Sequence, residues 1–422
     1  MIVFLLVFLI LLIIGAPISI AIGAGATVGC LALGYPLQLV GQKMVTGIDS
    51  YLLIAVPLFI FAGNLMNEGK ITTKIFDFAK ALVGWIPGGL GHANVVASVI
   101  FAGMSGSAAA DAGGLGTIEM NAMRENGYDD DFSAAVTAAS SVIGPIFPPS
   151  IPLIIYGSIA SVSVAKLFMG GVLPGLLMAV ALMVLVYIFA VKRGYEKTAF
   201  SVHNLLVNFK GSILSLITPL IILAGFTTGW VTPTEASCIA VVYSLIISTC
   251  VYKSLGLKEF LVCAKESAIG AANTLFIIGT STLFTYVMVK EGISQALASS
   301  ILEVSNNPAV ILFVINIVLL ILGMFMEPGA ILTLMLPVLV PIANQLGLDM
   351  VHFGVVIVLN LMIGQVTPPF GVCLFIISDL SKVKLERMYR GILSFIIPLL
   401  LTLVLVTYIP GLVTWLPNML IK

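Results

Sequence analysis

Apolar stretches long enough to cross a bilayer recur from one end of the chain to the other, broken by short polar loops. A helix needs about 20 apolar residues to span roughly 30 Å of hydrocarbon, and only elements that satisfy their own backbone can do so. The pattern therefore predicts an all-α polytopic membrane protein that meets the lipid bilayer over most of its surface. The leading run, Met1 to Ile14, has no basic start and no small-residue cleavage site, and reads as a retained helix. Basic residues gather in four loops: Lys70 to Lys80, Lys192 to Lys210, Lys253 to Lys265 and Lys382 to Arg390. Between the second and third, the apolar stretches 212–229 and 236–251 carry the chain across and back. Both loops thus share a face, which the positive-inside rule makes cytoplasmic. Counting passes from there sends 132–165 outward and 351–380 inward.

The same two segments carry an internal repeat. Ile143-Gly144-Pro145-Ile146-Phe147-Pro148-Pro149 matches Ile363-Gly364-Gln365-Val366-Thr367-Pro368-Pro369 at an offset of 364 − 144 = 220. That offset also joins Gly103-Met104 to Gly323-Met324, and Gly127 and Asp129 to Gly347 and Asp349. Because the matched segments run in opposite directions, the repeats are inverted, the plan of many secondary transporters. The expected organisation is 1–51 N-terminal scaffold helices; 52–191 repeat 1, with a re-entrant hairpin at about 94–123 and a broken helix at about 132–165; and 192–267 central scaffold helices and cytoplasmic loops. Residues 268–410 form repeat 2, with a hairpin at about 308–343 and a broken helix at about 351–380, and 411–422 form a tail.

Composition narrows the function. Hydrophobic residues make up 60% of the chain and charged ones 9%, far below the roughly 25% of a soluble domain. With 19 basic and 19 acidic residues and no basic block, nothing invites nucleic acid. The five cysteines and three histidines are scattered, so disulfide, metal-cluster and triad chemistry have no support and no organic cofactor is expected. The acids Asp111, Glu235, Glu327 and Asp379 lie far apart in sequence, which argues against an intramembrane enzyme. No G-x-x-x-x-G-K-[ST] segment is present to drive transport with ATP.

Chemistry is expected at the breaks. A Pro-Pro pair inside an apolar helix removes two backbone donors and frees carbonyls; in lipid these need protein, water or an ion. Sodium, a hard cation, takes oxygen ligands. Candidate sodium-binding residues are Gly103, Ser105, Ser107, Gly144, Pro145 and Pro148 in the first repeat, and Gly323, Glu327, Gly329, Gly364, Thr367 and Pro368 in the second. Candidate substrate contacts are Ser105, Pro149, Ser150, Asn360 and Thr367, beside half-helix ends whose dipoles favour anions. The glycine- and serine-rich segment Phe101 to Gly116 suits a hairpin tip that keeps Asp111 in protein. Thr232-Pro-Thr-Glu235 reads as a helix start, with Thr234 as its cap and Glu235 in the first turn.

At these residues the chain resembles the large membrane subunit of the tripartite ATP-independent periplasmic (TRAP) transporters, over nearly its whole length. The likeness is carried by Gly103-Met-Ser-Gly-Ser-Ala108, Pro148-Pro-Ser-Ile-Pro-Leu-Ile-Ile-Tyr-Gly157, Thr232-Pro-Thr-Glu-Ala236 and Gly364 to Gly371. It implies a bacterial inner-membrane permease, not an enzyme, that imports an organic acid with two or more sodium ions by an elevator movement. The acid would be sialic acid or a C4-dicarboxylate-type anion. The resemblance also implies a small four-helix membrane subunit and a periplasmic binding protein as partners. The alternative is another secondary transporter of the same fold that works without a binding protein.

Overall fold

The computed structural model describes residues 2–304 and 307–421, and among these it holds helices and no strand. The helices are α1 (Ile2–Ile13), α2 (Ile18–Ala32), α3 (Leu37–Ile48), α4 (Ala55–Glu68), α5 (Ile71–Val83), α6 (Gly89–Ser105), α7 (Ala108–Glu125), α8 (Asp130–Ser141), α9 (Ile151–Ala160) and α10 (Val164–Arg193). They continue with α11 (Val202–Thr228), α12 (Pro233–Ile246), α13 (Leu257–Lys290), α14 (Ile293–Val304), α15 (Pro308–Phe325), α16 (Pro328–Gln345), α17 (Met350–Gly364), α18 (Val372–Ser381), α19 (Leu385–Tyr408) and α20 (Gly411–Leu420). Eight helical stretches in the described residues are long and apolar enough to cross a membrane.

The two repeats can be laid over one another by number. Helix α7 begins at 108 and α16 at 328; α8 begins at 130 and α17 at 350, each pair 220 apart. The Pro148–Pro149 and Pro368–Pro369 bonds are both cis, and Gly127 and Gly347 share a positive φ. Each repeat builds a helical hairpin (α6–α7, α15–α16) and a helix split into halves (α8 and α9, α17 and α18). The halves are exchanged: α9 packs on the returning arm of the second hairpin, α16, and α18 on that of the first, α7. Tyr156 of α9 sharpens the crossing, its ring lying against Gly354 while its hydroxyl donates to Met350 O at 2.8 Å.

Polar ties gather the basic loops on one face. Thr198 N donates to Gly84 O, Ser254 Oγ to Gly69 O, and Arg124 Nη2 to Ser381 O. Arg193 bonds Asp129 at 2.7 Å beside them. Tyr128 stacks on Tyr195, and Arg193 lies over the rings of Phe132 and Phe189. On the opposite face, Thr234 donates to Tyr51 O, and the hydroxyls of Ser50 and Ser158 lie 3.4 Å apart.

Residues 2–32 form two short antiparallel helices rather than one span. Pro17, which cannot donate to the preceding turn, starts the second. Gly25 and Gly29 let α2 close onto Phe8 and Phe4 of α1, and Gly29 also meets Val287 of the long scaffold helix α13.

One expected cap is displaced. Thr232, not Thr234, caps α12: its hydroxyl accepts from Glu235 N at 3.3 Å while the Glu235 carboxylate accepts from Thr232 N at 2.7 Å. Pro233 has no N–H to leave orphaned and fits the first helical position, so the cap falls before it. Thr234 turns instead to Tyr51.

Candidate functional site

Both hairpin tips and both helix breaks meet around one cavity of about 140 Å³. Its lining includes Ala108, Ile151, Pro328 and Val372, which are the first residues of α7, α9, α16 and α18. Four helix N-termini thus face a common space, each turning the positive end of its dipole toward it. Ile60 of α4 and Thr274 of α13 form the opposite wall.

The first tip is built for close approach. Ser105 closes α6, Gly106 turns with a φ of +59°, and Ser107 caps α7 by accepting from Ala110 N. A side chain on Gly106 would place its Cβ 2.5 Å from Pro149 O. The tip is stitched to the break by Ile151 N, which donates to Gly106 O at 3.3 Å. The Ser105 hydroxyl is buried and has no hydrogen-bond partner.

The break itself follows from its prolines. In a continuous helix the carbonyls of Gly144 and Pro145 would accept from residues 148 and 149, but both are prolines without a donor. Ser150 answers for one of them: its hydroxyl donates to Pro145 O and accepts from Leu153 N, capping α9. Gly144 lies against the Ser107 backbone of the tip.

The second tip is different in chemistry. Met326 is extended, Glu327 caps α16 through its main chain and is exposed at the cavity, and Pro328 begins the helix. Gly329 sits beside the Glu327 carboxylate. Gly323 and Gly364 bring α15 and α17 into backbone contact; a Cβ on Gly364 would fall 2.7 Å from Gly323 Cα. Gly371 N donates to Met324 O, tying this tip to its own break. Thr367 bonds back to Ile363 O at 2.7 Å, while Pro368 and Pro369 lie toward the surface, where Tyr389 donates to Pro369 O.

Of the residues singled out by sequence, Ser107, Pro145 and Glu327 line the cavity, and Gly323, Gly329, Gly364, Ser105, Gly144 and Ser150 stand at tip or break beside it. Gly103 instead packs on Pro219 of α11, and Asn360 bonds Asn316 of α15. The lining also includes Gly106, Gln365 and Thr274. Gln365 was visible as a polar residue between Gly364 and the proline pair; Thr274 gave no signal within its apolar helix. Asp111 and Glu119 of α7 are each 1% exposed, and Asp111 Oδ2 and Glu119 Oε1 have no hydrogen-bond partner.

Residues 5–412 match the family described as tripartite ATP-independent periplasmic transporter, DctM component. The chain is 44% identical to the sialic acid TRAP transporter large permease protein of Vibrio cholerae, over 91% of this chain and 90% of that one. It is also 44% identical to the sialic acid TRAP transporter permease protein of Haemophilus influenzae, over 99% of this chain and 68% of that longer one. Among solved structures, the YdaH transporter of Alcanivorax borkumensis shares the fold, with a TM-score of 0.67 at 12% identity over 90% of both chains. The chain therefore belongs to the DctM component family of tripartite ATP-independent periplasmic transporters and is a multi-pass protein of the bacterial inner membrane.

Proposed function

We propose that this permease imports sialic acid in symport with sodium, receiving it from a periplasmic binding protein and working beside a small four-helix membrane subunit. The observation that carries the reading is the convergence of four helix N-termini on one cavity, which suits a carboxylate in a setting with little water. The 44% identity to two sialic acid permeases favours that acid over a C4-dicarboxylate.

Sodium fits the same region. Near the first tip, the unpartnered Ser105 hydroxyl and the Gly144 carbonyl are oxygens of the kind a hard cation takes. At the second, the Glu327 carboxylate and the carbonyls around Gly364 to Pro368 would serve. Ligand pockets usually start near 300 Å³, so a cavity of 140 Å³ has to widen to admit a sugar acid. Parting the hairpins and broken helices from the α4 and α13 wall would do this, which supports an elevator movement of that body.

Reconstituted with its partner proteins, the permease is expected to accumulate labelled sialic acid under an inward sodium gradient, with unlabelled sialic acid competing and succinate not. Equal uptake under a potassium gradient would remove the sodium coupling, and full competition by succinate would reassign the substrate. Ser105→Ala is expected to raise the half-saturating sodium concentration by about tenfold; an unchanged value takes Ser105 off the ligand set.

A further inference from the structure

Each repeat holds a buried polar cluster away from the cavity, and the two clusters share one repeat-related position. In the first, Asn94 of α6 donates to Thr137 Oγ1 at 2.7 Å, and Ser140 of α8 donates back to Asn94 Oδ1 at 2.6 Å. In the second, Asn360 of α17 donates to Asn316 O at 2.8 Å and to Asn316 Oδ1 at 2.9 Å; Asn316 of α15 donates in turn to Thr407 Oγ1 of α19 at 3.1 Å. Ser140 and Asn360 are related by the repeat, 360 − 140 = 220, and both are fully buried. Each cluster joins the leading arm of a hairpin to the first half of the broken helix.

Their position along the seam gives them a task. Ser140 and Asn360 lie one helical turn before Gly144 and Gly364, where the breaks begin. On α15, Asn316 lies two turns before Gly323, so both face α17: Asn316 meets Asn360, and Gly323 meets Leu361 and Gly364. A helix pair pinned at two points cannot slide or rotate at the second without breaking the first. The packing agrees, since α15 rests chiefly on α17 and only slightly on its own returning arm, α16.

We infer that these amide clusters are positioning elements: they hold each hairpin's leading arm in register with the break, and so hold in place the backbone oxygens that bind the coupling cation. The inference rests on the sodium reading given above. Asn360 is thereby assigned a positioning role through its Nδ2 donor, while its buried Oδ1 has no hydrogen-bond partner.

The test is sodium titration of Asn360→Leu and Asn316→Leu in the full reconstituted transporter, by uptake and by sodium-dependent melting. Asn360→Leu removes both bonds to α15 and is expected to raise half-saturating sodium by about tenfold, leaving the apparent KM for sialic acid at saturating sodium unchanged. Asn316→Leu spares the main-chain bond and should give a smaller rise of the same kind, which keeps the test available if the first variant does not fold. A loss of folded protein or melting temperature in either variant, with half-saturating sodium within twofold of wild type, would overturn the proposal. Sodium-independent uptake by the wild type is a different result: it defeats the coupling reading itself, whatever the variants do.

Discussion

The two hairpins occupy equivalent places and solve the same packing problem with different residues. The first tip, Ser105-Gly106-Ser107, supplies hydroxyls and a left-handed glycine that docks directly on the Pro149 carbonyl. The second, Phe325-Met326-Glu327, is extended where the first turns left-handed and supplies a carboxylate instead. Close approach in the second repeat comes from Gly323 and Gly364, inside the hairpin–break unit, whereas the matching Gly103 looks outward to Pro219 of α11. The repeat thus conserves the arrangement of helices, while each copy places its glycine contact on a different neighbour. Both tips are tied to their own breaks, but Gly103 adds a contact to α11 where Gly323 adds one to its break.

The sharpest way to break this comparison is at the turn. Valine at 106 would have to adopt a left-handed conformation that costs roughly 1–2 kcal/mol for an L residue and is a genuine outlier for a β-branched one. It would also push a methyl-bearing carbon against Pro149 O. Gly106→Val is therefore expected to lower uptake per folded transporter well beyond tenfold. Met326→Val, at an extended residue with φ −126°, should stay within about twofold. Equal losses in the two variants would mean that the tips are not built differently in any way that matters to transport.

A smaller effect separates the two glycine contacts. A methyl on Gly364 meets backbone atoms, which cannot swing aside, and overpacking of this kind costs typically 1–3 kcal/mol. Gly364→Ala should therefore weaken sodium dependence by about tenfold. In Gly103→Ala the methyl meets a proline ring on a helix outside the hairpin–break unit. The expected loss there is several-fold and falls on maximal rate, with half-saturating sodium unchanged. Sodium titration of uptake by both variants decides it, and a shift in sodium affinity with Gly103→Ala would erase the distinction.

Much of this was legible because inverted repeats print themselves twice. The constant offset from Gly144 to Gly364 and from Asp129 to Asp349 located the hairpins and breaks without any contact information, and basic loops gave their directions. Chemistry at the tips was less legible, since it depends on what each side chain meets after folding. Asn360 looks like a lone polar residue in an apolar helix, and only packing reveals Asn316, 44 residues earlier, as its partner. Thr274 enters the cavity wall because α13 passes by, with no local signal. The Thr232 cap was misplaced by two residues because Pro233 and Thr234 both suit a helix start. The break prolines were the exception. Their missing donors act locally, so freed carbonyls are expected from order alone, although Ser150, expected at the substrate, is the side chain that caps Pro145 O.

The smallest expected difference lies at the matched helix starts. Asp349 caps α17 by accepting from Val351 N at 2.9 Å and His352 N at 2.8 Å. Asp129, its counterpart, turns away from its helix and accepts from the Tyr195 hydroxyl and the Arg193 guanidinium, each at 2.7 Å. Asp349→Ala should cost about 1 kcal/mol, as loss of a helix cap does. Asp129→Asn exchanges an ion pair whose carboxylate side chain is 55% exposed, and such pairs contribute about 0–1 kcal/mol. The hydrogen bond from Tyr195, with Arg193 adding to it, holds the Asp129 carboxyl below its ordinary value against a partial opposing push from burial. A carboxyl with a depressed native value stabilises the fold fully above the ordinary range near pH 4, and that contribution fades as pH falls through the lowered value. The melting difference between wild type and Asp129→Asn should thus be constant above about pH 5 and shrink below about pH 4. Added salt should reduce it as well, because the pair is exposed. A difference that grows on acidification would show that Asp129 is not held as a carboxylate by this cluster.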